Sequence, residues 1–112
     1  MINTVMIEYK DLEKVINSYK KVDKSFPYGN DIAVYSYQNE MFALIYKDLS
    51  PKQISLRCDY LLAKHLKDEY ETVLGGKDLN PNKWITVICT GQLRIDEIRD
   101  LIRHSLEIVK AI

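Results

Sequence analysis

Ile32-Ala33-Val34-Tyr35-Ser36-Tyr37, then Gln38-Asn39, then Met41-Phe42-Ala43-Leu44-Ile45-Tyr46: the reading of this stretch decides the fold. Both outer runs are rich in β-branched and aromatic residues, and the amide pair between them makes a short turn. Residues 32–46 therefore read as a β-hairpin. In the second run Phe42, Leu44 and Tyr46 alternate with Met41, Ala43 and Ile45. Both sets are apolar, which places this strand centrally in a sheet, covered at least in part on both faces.

Working outward toward the C-terminus, Lys47 to Pro51 is a turn, and Lys52 to Arg57 reads as a third strand with Ile54 and Leu56 on one face. Three consecutive antiparallel strands make a meander. Asp59 can cap a helix running to about Tyr70, with Leu62, Leu66 and Tyr70 as its stripe. Gly75-Gly76 breaks the chain, and a short strand can precede it. Trp84 to Cys89 is a strong strand. The last helix runs from about Ile95 to Lys110, with Ile98, Leu101, Ile102, Ser105 and Val109 on its apolar side.

Toward the N-terminus, residues 26–31 form a turn around Pro27, Gly29 and Asn30. Tyr9, Leu12, Val15, Ile16 and Tyr19 recur at helical spacing, so 9–21 is expected to be a helix, with a pattern that can extend back to Ile2 and Val5. Lys20, Lys21 and Lys24 would then crowd its C-terminal end, where the helix dipole favours them. The sum is an α+β fold: a two-layer sandwich whose helices cover one face of an antiparallel sheet. Its order is helix, three strands, helix, one or two strands, helix. The 112 residues fit a single domain, residues 1–112.

Hydrophobic residues make up 46% of the chain and Gly and Pro number only 4 and 3, which argues for a packed globule over a disordered segment. The formal net charge is zero. Nucleic-acid binding driven by counterion release usually shows a basic excess, and none is evident. Cys58 and Cys89 form no CxxC pair and read as two buried thiols, with a disulfide conceivable if their strands are neighbours. Met1 to Val5 carries no basic segment followed by an apolar run, and no stretch is long enough to span a membrane. The expected location is cytoplasmic, with no membrane partner.

Catalytic motifs are missing: there is no Walker pattern, dinucleotide fingerprint, nucleophile elbow or HExxH. Gly75-Gly76-Lys77 lacks the upstream glycine and following hydroxyl of a phosphate loop. His65, His104 and the two cysteines are too dispersed for a zinc site. No catalytic residue, metal ligand or cofactor is expected. The richest segment outside the core is Asp78-Leu79-Asn80-Pro81-Asn82-Lys83-Trp84, which joins an amide-rich turn, a lysine and the single tryptophan. Trp84 starts a strand, so it is either a buried anchor or a stacking surface. Tyr28, Asp31, Arg57, Lys77, Asn80, Asn82, Lys83 and Trp84 make the candidate binding surface.

From Tyr9 to the C-terminus the chain resembles the MmcQ/YjbR family of small bacterial proteins, whose fold is similar to the CyaY-like, or frataxin-like, fold. The residues that carry the resemblance are Phe26-Pro27-Tyr28-Gly29 with Asp31, Met41-Phe42-Ala43, Leu56-Arg57-Cys58-Asp59, the segment from Gly76 to Trp84 with Thr86 and Val87, and His104-Ser105. The family commonly has two histidines and a lysine pair in the loop where this chain has Asp78, Pro81, Asn82 and Lys83, while Asn80 and Trp84 are retained. The resemblance implies DNA binding through wing-like hairpins, here the 32–46 hairpin and the 75–84 loop. Lys77, Lys83 and Arg57 would touch phosphates and Asn80 or Asn82 a base edge. The frataxin-like fold implies iron binding by acidic residues of the first helix, but Glu8, Asp11 and Glu13 are few and interleaved with lysines. The leading expectation is a noncatalytic protein-interaction or regulatory module with an unidentified protein partner. DNA binding is the first alternative and an enzyme of unknown chemistry the second.

Overall fold

A computed structural model of the chain describes residues 6–112; the proposed extension of the first helix to Ile2 and Val5 lies outside them. The elements follow one another as α1 (Tyr9–Asn17), β1 (Val22–Ser25), β2 (Ile32–Tyr37), β3 (Glu40–Tyr46), β4 (Gln53–Arg57), α2 (Tyr60–Glu69), β5 (Val73–Gly75), β6 (Trp84–Ile88) and α3 (Ile95–Lys110). The strands form one antiparallel sheet in the order β1-β2-β3-β4-β6-β5. All three helices lie on one face, with α3 over β3 and β4 beside α1, and α2 against β5. This is the expected two-layer, CyaY-like arrangement.

The hairpin forms as its residues require. Gln38 and Asn39 both adopt positive φ, 48° and 68°. Two left-handed residues in a two-residue loop match the right-handed twist of the flanking strands. Between Tyr35 and Ser36 the register shifts, so that Ala43 and Met41 are paired and Phe42 is the extra residue. The bulge turns Phe42 and Ala43 both toward the helices, where each is fully buried. The β3–β4 pairing stops at Ala43 and Leu56. Beyond it the Ser105 hydroxyl of α3 accepts the Arg57 N–H at 2.9 Å and donates to the Phe42 carbonyl at 2.5 Å.

Two expectations need correction. The first helix ends at Asn17, not at residue 21, and a strand follows it. Tyr19 closes the turn through its N–H to the Ile16 carbonyl, and Lys21 takes a φ of 64°, which reverses the chain. Val22 to Ser25 then pair with β2, making the meander four-stranded where three strands were expected. Asp23, Lys24 and Ser25 have little strand preference of their own, so the edge of β2 imposes the conformation. Lys24 consequently leaves the helix end and reaches back to α1. The expected short strand is present as β5 but takes in Gly75, so the break falls at Gly76, and Asp59 caps α2 by accepting the Leu61 and Leu62 N–H groups, each at 3.1 Å.

The main core lies between helices and sheet and includes Leu12, Ile16, Ile45, Ile54, Leu56, Ile85, Ile98 and Ile102. Among the described residues the opposite face carries no helix. There Val34, Leu44 and Trp84 form a second, smaller cluster, joined by Ile32, Met41, Tyr46 and Leu79. Among the described residues no helix is long and apolar enough to cross a membrane.

Candidate functional site

Pleat parity decides which side chains meet on the helix-free face. Val34 is paired with Leu44, Leu44 with Ser55, Ser55 with Thr86, and Arg57 with Trp84. Side chains opposite one another in register stand on the same face. Ser55 and Thr86 are buried, and their hydroxyl oxygens lie 2.7 Å apart. Tyr46 extends the chain, its hydroxyl 3.0 Å from Ser55 Oγ. Burial raises the Tyr46 pKa; the Ser55 hydrogen bond opposes this, and the Asp78 carboxylate and Tyr28 phenol nearby raise it further. The phenol therefore stays neutral and serves as a hydrogen-bonding group.

The 26–31 turn and the 76–83 loop flank this face. Between them lies a cavity of about 250 Å³ lined by Tyr28, Ile32, Leu44, Tyr46, Asp78 and Leu79. Gly29 has a φ of 110°, which brings the turn around at a conformation that a residue with a Cβ rarely adopts. Gly76 answers a different need. A Cβ there would stand 2.5 Å from the Trp84 Cβ and 3.2 Å from that of Leu79. The glycine lets the loop backbone lie directly on Trp84, with its N–H donated to the Trp84 carbonyl at 3.1 Å. Asn80 holds the far side of the loop. Its Oδ1 accepts the Asn82 N–H at 2.9 Å, and its carbonyl accepts the N–H groups of Lys83 and Trp84, each at 3.0 Å.

The structure thus distributes the eight expected surface residues. Tyr28 lines the cavity, and Lys77 places its ammonium 4.3 Å from the centroid of the Tyr46 ring. Arg57 lies over Trp84 at 5.9 Å, and its Nε is buried with no partner among the described residues. Gln53 Oε1, on the same face of the same strand, is likewise unpartnered. Trp84 is 6% exposed and serves as the anchor of the small cluster. Asn80 spends its side chain on the loop's own turn. Asn82 and Lys83 are exposed, and Asp31 stands beside Gly29, its Oδ1 3.1 Å from where a Cβ would be. Ile32, Leu44, Tyr46, Asp78 and Leu79 complete the cavity lining and were not among the eight expected residues. The apolar 42–44–46 alternation was the available signal for Tyr46.

A second polar group sits on the helix side. Glu13 of α1 accepts the hydroxyls of Tyr9 and Tyr35, each at 2.6 Å, and pairs with the Lys24 ammonium at 2.5 Å. Burial works to raise the Glu13 pKa, but the Lys24, Tyr35 and Tyr9 hydrogen bonds and the Lys24 charge outweigh it and hold the carboxyl at about 2. Lys24 and Lys47 both lie within 5.6 Å of the Tyr9 and Phe26 ring centroids. Among the described residues no three His, Cys, Asp or Glu side chains are grouped to hold a metal ion. Cys58 and Cys89 are free and buried. Their strands are neighbours but antiparallel, so the thiols fall at opposite ends: the Cys58 N–H meets the Lys83 carbonyl, and the Cys89 N–H meets that of Lys52. Burial, aided by Asp59, pushes the Cys58 thiol up to about 11, and burial pushes Cys89 to about 12. His104 accepts the Asp59 N–H through Nε2 at 3.1 Å and so tethers α3 to the start of α2.

Residues 17–108 match the family model YjbR. The chain belongs to the YjbR family. In this YjbR chain the matched region takes in the Phe26-Pro27-Tyr28-Gly29 turn, the Gly76–Trp84 segment and His104-Ser105, which together frame the helix-free face or brace it from behind. Solved structures share the fold. The Deinococcus radiodurans protein DR2400, with the domain DUF419, has a TM-score of 0.87 and 24% identity, over 96% of this chain and 83% of its own. A Pseudomonas syringae protein, Northeast Structural Genomics Consortium target PsR293, has a TM-score of 0.77 and 19% identity, over 91% of this chain and 98% of its own. No curated protein matches.

Proposed function

We propose that this chain is a single YjbR-like domain acting as a noncatalytic, cytoplasmic interaction or regulatory module that engages a protein partner with its helix-free face. The observation that carries this reading is the cavity between the 26–31 turn and the 76–83 loop, with exposed Tyr28 and Asp78 at its walls and exposed Lys83 in the same loop. A concave apolar floor with a few convergent polar groups is the usual form of a recognition site. The two thiols, His104 and Glu13 lie outside the cavity and are engaged there. The thiols are buried and neutral, His104 holds a backbone N–H, and Glu13 is saturated with donors.

The DNA reading asks for one continuous positive face from Lys77, Lys83, Arg57 and the lysines near α1. The geometry divides them. Lys24 lies on the helix side against Glu13, while Lys77 and Arg57 lie on the other side, over Tyr46 and Trp84, with Asp78 adjacent to Lys77. Phosphate contacts need cations that reach one backbone together.

The test is to pan a random-peptide phage library against the wild-type protein and against Tyr28→Ala. A shared motif enriched on the wild type and lost on the variant supports the module. No enrichment, together with duplex DNA quenching or shifting Trp84 fluorescence at low salt, replaces it with the nucleic-acid reading.

A further inference from the structure

We infer that the cavity on the helix-free face takes a basic side chain, the ammonium of a lysine or the guanidinium of an arginine presented by a partner peptide. This rests on the interaction reading above and gives it a chemistry. The cavity holds about 250 Å³. That is below the roughly 300–1,000 Å³ of pockets for whole small molecules, and a single long side chain suits it better. Its apolar lining is Ile32, Leu44 and Leu79, a match for an aliphatic stem. Its polar walls are two phenol rings, Tyr28 and Tyr46, and the Asp78 carboxylate. Aromatic faces beside a carboxylate select a cation with an apolar stem, through the ring quadrupole and the ion pair together. The carboxylate disfavours an anion in the same space.

The chain itself supplies a demonstration. The Lys77 ammonium sits 4.3 Å from the Tyr46 ring centroid, so that ring already carries a cation. Lys77 is thereby an internal competitor: it occupies ring surface and adds positive charge beside Asp78. Removing it strengthens binding of a basic guest, although it deletes a lysine from a site otherwise read as phosphate-seeking. For an anionic ligand the same substitution weakens binding. The sign of the Lys77 effect therefore separates the two chemistries.

The experiment is a titration of isotope-labelled protein with N-acetyl-lysine amide, N-acetyl-arginine amide and the neutral isostere N-acetyl-norleucine amide, followed by amide chemical shifts. The two cations are expected to give saturable shifts at Tyr28, Asp78 and Leu79, and the isostere far smaller ones. Lys77→Ala is expected to tighten the cations about threefold and Asp78→Asn to weaken them by about as much. Both positions are exposed, and retention of the amide spectrum outside the loop establishes that each variant folds. Equal response to norleucine overturns the inference in favour of a purely apolar pocket. Shifts produced by inorganic phosphate and weakened by Lys77→Ala overturn it in favour of an anion. Silence toward all probes overturns it too, and leaves the module reading to the phage enrichment, which can succeed with a motif lacking Lys and Arg.

Discussion

The two faces of the sheet are built from the same strands and do opposite things. On the helix side every strand but β1 contributes fully or nearly fully buried apolar residues, and α1 and α3 close over them. On the other side the buried apolar cluster is Val34, Leu44 and Trp84, flanked by a turn, a loop and partly buried neighbours. The helix side has its polar groups satisfied: Glu13 has three donors and Ser105 has both partners. The helix-free side leaves Gln53 Oε1 and Arg57 Nε unpartnered among the described residues and holds the cavity. The larger core lies on one face, and the cavity and the two unpartnered atoms lie on the other.

The sharpest way to break this contrast is a matched pair of truncations. Ile98→Ala, in the fully buried core, is expected to cost about 4 kcal/mol, and Leu44→Ala, beside the cavity, nearer 2 kcal/mol, by urea denaturation. Equal costs would mean that the second cluster is as much a foundation as the first. Next in size is Gly76→Ala. The added methyl meets the Trp84 Cβ, so the loop must lift, with an expected cost of about 1–3 kcal/mol and a red-shift in Trp84 emission. Unchanged emission would show that the loop does not depend on its contact with the tryptophan.

The third prediction uses acid. Glu13 titrates near 2 in the folded state against an ordinary 4.5, so its contribution is present above 4.5 and is lost as pH falls through that interval toward 2. The Lys24 pKa is raised, chiefly by its hydrogen bond to Glu13, so the lysine's own share fades only at alkaline pH and leaves the acid limb to Glu13. Glu13→Gln is expected to lower stability by about 1–2 kcal/mol at neutral pH, with the gap to wild type closing toward pH 2. A constant gap across that range, in thermal melts, would deny the carboxylate its role. The smallest effect belongs to Tyr28→Ala. Tyr28 is 55% exposed, and among the described residues its hydroxyl meets only the Met41 sulfur, at 3.8 Å. Its loss is expected to change stability by less than about 0.5 kcal/mol while abolishing ligand response at Asp78 and Leu79.

What was legible in the sequence follows from the range over which each signal acts. The hairpin, the Asp59 cap and the α3 stripe depend on neighbours a few positions apart, and all three were readable. Strand β1 was not, because Val22-Asp23-Lys24-Ser25 becomes a strand only against β2, and its lysine finds Glu13 only once α1 has folded back. The site was legible in part. Tyr28, Lys77 and Trp84 stood out by residue type and turn chemistry. That Arg57 would face Trp84 depends on β6 inserting beside β4, ahead of β5 in the sheet, which is a property of register across 27 residues. Asp78 was noticed as a departure from the family loop, but its place beside Tyr46 needed the loop's path over the sheet.

Ser105 carries a consequence for genetics. Its hydroxyl stands in for the rung that β3 and β4 lack between Phe42 and Arg57, so a helix side chain splices two strands of the sheet. Arg57 has its amide on that splice and its guanidinium on the far side, over Trp84. A screen for partner-binding defects would therefore return position 105 beside the surface residues of the loop, although Ser105 is wholly buried and touches no ligand.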